Sequence, residues 1–105
     1  MSRPKTLSGT IKTPGTGPSD TILFSFERHT YILVSSSTCQ PFVTTSATLT
    51  YNSDDQLTGD QHANGTVGTS VNFTFENGPI AVGTLEKTIA PQCKPDGKGT
   101  WNKGE

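Results

Sequence analysis

Between Thr66 and Glu76 the chain alternates. Val67, Val71, Phe73 and Phe75 fall on one parity; Thr66, Gly68, Ser70, Asn72, Thr74 and Glu76 fall on the other. A period of two belongs to a strand with one dry face, not to a helix. Asn77-Gly78 follows at once, and Asn-Gly between alternating segments signals a β-hairpin.

The same period recurs along the chain. Leu7–Lys12 reads as a short strand, with Leu7, Gly9 and Ile11 on one side. Thr21–Glu27 carries Ile22, Phe24 and Phe26 on one parity, and a polar turn leads to Thr30–Ser36. The unbroken run Tyr31–Val34 predicts burial on both faces. In Phe42–Tyr51, Val43, Ala47, Leu49 and Tyr51 are expected to face inward, with Thr44, Ser46, Thr48 and Thr50 outward and Thr45 interrupting the apolar face. In Ile80–Ile89, Ile80 and Val82 share one parity and Leu85 and Ile89 the other, so a β-bulge is expected at Gly83.

The joints are polar. Thr13–Asp20 holds two prolines and two glycines, which exclude a helix or a central strand. Asn52–Asn64 reads as a long polar loop pinned by Leu57. Residues 1–6 and 94–105 read as tails, the second with Trp101 as its only large anchor. No window joins helix formers to a 3.6-residue period. Six to seven short strands without a significant helix predict an all-β domain, a small antiparallel β-sandwich or, as the alternative, a small β-barrel.

Composition adjusts this picture in two ways. At 105 residues the chain is one domain with a thin core, because Leu, Ile, Val and Phe make up only 21 positions. The net charge of -1 gives little self-repulsion to hold the chain open, so it is expected to fold. Threonine and serine supply 28 residues while charged groups make up 16%. The surface is therefore built of hydroxyls, for which β-branched threonine suits the wet face of a strand.

Charge also bears on partners. The basic residues form no run that would neutralise several phosphates, which argues against nucleic acid. No stretch approaches the length of an apolar membrane span. No apolar segment follows the basic start Met1–Lys5, so no signal peptide is visible in the chain as given. With the cysteines and sequons described below, the expected setting is extracellular, the chain being a mature form.

The candidate chemistry is sparse. Cys39 and Cys93 are the only cysteines; without a Cys-x-x-Cys or a histidine spaced to complete a zinc tetrad, they are expected to form one structural disulfide. Asn64-Gly65-Thr66 and Asn72-Phe73-Thr74 match the N-glycosylation sequon. Asp54, Asp55 and Asp60 do not follow the EF-hand spacing, so no metal is expected there. His29 and His62 are the only histidines, and no nucleophile motif accompanies them. Neither catalysis nor a cofactor is expected.

Aromatic rings can stack on the apolar face of a sugar while polar neighbours bind its hydroxyls. Tyr51 and Trp101, with Asn52, Asp54, Gln56 and Asn102, are the candidate contact residues. The expected function is a non-enzymatic extracellular module that recognises a glycan or a protein surface through its loops. One alternative is a barrel whose phenylalanines line a cavity for an apolar ligand; another is a structural subunit of a surface assembly.

Overall fold

A computed structural model describes residues 4–90 and 92–104. Met1–Arg3, at the head of the expected N-terminal tail, lie outside the described residues. Eight strands run in chain order: β1 (Lys5–Lys12), β2 (Ser19–Phe26), β3 (His29–Cys39), β4 (Val43–Tyr51), β5 (Gly59–Val67), β6 (Ser70–Phe75), β7 (Ile80–Thr84) and β8 (Asp96–Lys103). They close into one barrel in the order β1-β2-β3-β8-β5-β6-β7-β4, each strand antiparallel to its neighbours. The all-β expectation holds, and of the two architectures the strand pattern allowed, the closed barrel is the one formed.

The barrel is filled. Eight strands enclose a space just wide enough for side chains. Phe24 packs edge-on against Tyr31, Phe73 and Phe75, with ring centroids 4.9 to 5.6 Å apart. Trp101 lies 5.0 Å from Tyr31 and 5.1 Å from Phe75. Phe24, Phe73 and Phe75 thus fill the interior with Tyr31 and Trp101 rather than line a cavity, and such edge-to-face pairs add roughly 0.5–1.5 kcal/mol each beyond their burial.

Several expectations change. The stretch Thr66–Glu76 is not one strand: it holds the end of β5, a turn at Gly68-Thr69 and β6, with Val67 opposite Val71. Both segments still turn their valines and phenylalanines inward. The Asn77-Gly78 hairpin does form, joining β6 to β7, with Gly78 at a φ of 114° that favours glycine. The polar loop Asn52–Asn64 contains a 3₁₀ turn (Asp54–Leu57) and most of β5. The expected C-terminal tail is β8, inserted between β3 and β5.

Parity shifts at two places. The pairing of β1 with β4 slips between Gly9 and Ile11, opposite Ala47 and Thr44, so β4 carries one extra residue. This bulge turns Thr44 inward and leaves Val43 outside, the reverse of the simple alternation. In β7, Ile80 and Val82 face outward while Ala81 and Leu85 are buried, so no bulge at Gly83 is needed. In β3, Tyr31 and Leu33 point in, but Ile32 and Val34 stand exposed: the strand lies in a single-layered wall with one inner face.

Candidate functional site

Eight strands give the barrel two ends. At the first, the 3₁₀ turn folds over the mouth and buries Leu57. The Gln56 side chain holds this turn: its Oε1 accepts the Asn52 N–H at 2.7 Å, and its Nε2 donates to the Asn77 carbonyl at 2.8 Å. Tyr51 is buried beneath it. Burial, then the nearby Asp54 carboxylate and the charge of Glu27, raise the Tyr51 phenol above its ordinary range.

Tyr51, Asn52, Asp54 and Gln56 are thus brought together, but the Gln56 amide is engaged at both ends, accepting the Asn52 N–H and donating to the Asn77 carbonyl. Trp101 lies inside the wall, and Asn102 faces outward on β8 opposite Thr30. The eight aromatic side chains of the chain are all buried. A sugar therefore meets no exposed ring face on which to stack.

At the second end the walls are built differently. Cys39, closing β3, is bonded to Cys93 with Cα atoms 5.7 Å apart. Cys93 in turn exchanges two backbone hydrogen bonds with Val67. Between β7 and this anchor, the segment Leu85–Ala90 is strapped to the rim. Leu85 N–H donates to the Thr69 carbonyl, Ile89 N–H to the Gly68 carbonyl, and Gln40 Nε2 to the Ala90 carbonyl. Across from it, Thr13 locks the loop after β1: its N–H donates to the Phe42 carbonyl and its Oγ1 accepts the Phe42 N–H at 3.0 Å.

Between these walls lies a cleft of about 580 Å³. Pro41, Phe42, Val43 and Ile89 give it apolar surface; Lys12 and Lys87 stand on opposite lips. Among the described residues Glu86 is the one carboxylate on its lining, and it accepts from Thr45 Oγ1 at 3.2 Å. Among the described residues, neither lysine is in an ion pair.

The other titratable groups lie elsewhere. His62 pairs with Asp96 on the outer wall of β5 and β8, and His29 is buried at the start of β3. Among the described residues, no group of three or more His, Cys, Asp or Glu is placed to hold a metal ion, and no helix is long and apolar enough to cross a membrane. The polar joint Thr13–Asp20 supplies Thr13 and Gly15 to one cleft wall. The other wall, Glu86–Ile89, carries no motif; the disulfide and the hydrogen bonds to Thr69, Gly68 and Gln40 make it a wall. Comparison with protein-family models, with curated proteins and with solved structures finds no match.

Proposed function

We propose that the protein is a non-enzymatic binding module that engages another protein's surface through the cleft at its disulfide-bonded end. The observation that carries this reading is the cleft's construction. Its two walls are pinned before any ligand arrives, and rigid walls lower the ordering cost of association. Its apolar floor suits aliphatic or aromatic side chains, and its two lysines suit a flanking carboxylate.

Of the two partner classes compatible with a loop-presenting barrel, a protein surface is favoured over a glycan because every aromatic ring is buried. An extracellular setting accords with the disulfide, which oxidising compartments sustain. A catalytic role finds no support in the cleft, where Glu86 is already engaged and neither histidine contributes to the lining.

The test is a displayed peptide library beside a defined glycan panel. Peptides with an apolar anchor and a nearby acidic residue should be enriched, and the glycans should not bind. Val43→Asp, at an exposed position, and Lys87→Glu should each weaken a selected peptide about tenfold, or ~1.4 kcal/mol. Glycan binding without peptide binding, or peptide affinity indifferent to both substitutions, would reject this reading.

A further inference from the structure

We propose that Asn72 is an N-glycosylation site whose first sugar is seated in a groove on the outer wall of the barrel. The sequon Asn72-Phe73-Thr74 lies within β6, where the two-residue period puts Asn72 and Thr74 outside and Phe73 in the core. A glycan leaving Asn72 therefore projects away from the sheet and displaces no buried group.

The groove beside it follows from the β4 bulge. β4 pairs with β7 only from Thr48 to Thr50, opposite Ile80 to Val82. Beyond that, the extra residue in β4 carries Ser46 away from Thr84, and the Thr44 hydroxyl closes the inner side by donating to the Thr84 carbonyl at 2.7 Å. The result is a surface groove of about 360 Å³ with Asn72 on its lining. Ser46, Thr48, Ser70 and Thr84 supply hydroxyls, and Val82, directly opposite Asn72 in the ladder, supplies an apolar side.

This pairing of surfaces matches an N-acetylhexosamine, whose acetyl methyl and ring C–H groups can lie on Val82 while its hydroxyls reach the serines and threonines. Val82 is 38% exposed, so the sugar would also cover apolar surface that the barrel leaves in water. The second sequon lacks this seat. Asn64 is exposed on β5, but the groove does not reach it, and it stands between Thr74 and Asp96.

The chemistry requires a polyprenyl-diphosphate-linked oligosaccharide and a transferase that acts on extended Asn-x-Thr. The Asn72 Nδ2 attacks the anomeric carbon of the reducing-end sugar, and the bond from that carbon to the diphosphate oxygen breaks. The polyprenyl diphosphate leaves, and Nδ2 gives up one proton. No oxidant or reductant enters the balance.

The full chain, secreted from a eukaryotic host behind a cleavable leader, should carry a mass increase. An amidase that releases N-glycans should remove it and leave aspartate at position 72. Asn72→Gln and Thr74→Val should each abolish the increase; Thr74→Ser and Asn64→Gln should retain it. Mass measured with and without reductant verifies that each secreted variant holds its disulfide. An unmodified secreted chain, or an increase lost in Asn64→Gln and kept in Asn72→Gln, would overturn the assignment. Nuclear Overhauser contacts from the acetyl methyl to Val82 are expected; their absence would overturn the seating in the groove.

Discussion

Tyr31 shows how much a single residue carries here. Its ring is fully buried among Phe24, Phe75 and Trp101, and its hydroxyl donates to the Gln61 carbonyl at 2.7 Å. Gly99, opposite Leu33 on β8, makes room for it: a Cβ there would sit 2.7 Å from Tyr31 Cζ and closer still to the Ile32 carbonyl oxygen. Burial, then the charges of Glu76 and Asp60, push the Tyr31 phenol from 10.0 up to about 12. The neutral form is thus favoured by folding. Its contribution to stability should be complete below pH 10 and lost as pH rises towards 12, because the unfolded chain releases its proton first. Denaturation midpoints should fall across this window in the natural protein and less steeply in Tyr31→Phe. Equal slopes would show that Tyr31 is not the group responsible.

Residue patterns were legible where large apolar side chains alternate, as in Phe24 and Phe26 or Val71, Phe73 and Phe75. They were illegible in β5 and β8. The inner face of β5 is Gln61, Ala63, Gly65 and Val67; that of β8 is Gly97, Gly99 and Trp101. Small or polar inner residues give no hydrophobic period, yet they are what the bulky rings of the neighbouring strands β3 and β6 require beside them. The polar 52–64 segment and the glycine-rich C-terminus therefore resembled loop and tail while supplying two wall strands.

At the scale of elements, the disulfide organises one end of the molecule. It links positions 54 residues apart, which in the chain-entropy account is worth about 4 kcal/mol against the reduced chain. Reduction and alkylation should lower unfolding free energy by roughly that amount, measured by urea titration. Because the segment after β7 is held by this bond and by three hydrogen bonds, its amides should lose exchange protection before those of β2 and β3 do. A uniform loss across the barrel would show instead that the bond supports the whole fold rather than the cleft wall. The pairing was legible from cysteine count and spacing. That it builds a cleft was not, since the opposing Thr13–Phe42 lock lies far away in sequence.

For the whole molecule, closure is the governing fact. β1 must find β4, and β3 must find β8 across half the chain. Such long-range pairings place all-β domains in the millisecond-to-second folding range, because loop closure precedes the contacts that reward it. Stopped-flow refolding of the disulfide-bonded chain should show its main phase there; a sub-millisecond main phase would mean that local hairpins dominate the barrier. Among the described residues closure gives every strand a partner on both sides, so a wall that carries Ile32, Val34, Ile80 and Val82 on its outer face leaves its backbone unpaired chiefly where β4 departs from β7.

The sequence by itself determined the class of the fold, the strands with strong alternation, the Asn-Gly hairpin and the cysteine pair. Each rests on local physics: the period of a strand, the φ demands of a turn, the chemistry of two thiols. Only the tertiary structure decided that the sheet closes, that Trp101 belongs to the core, and that β5 and β8 are strands. It alone placed the cleft at the disulfide end and the groove beside Asn72. These depend on large side chains meeting small ones on neighbouring strands and on a single extra residue in β4, and such complementarity is set by strand pairing rather than by local sequence.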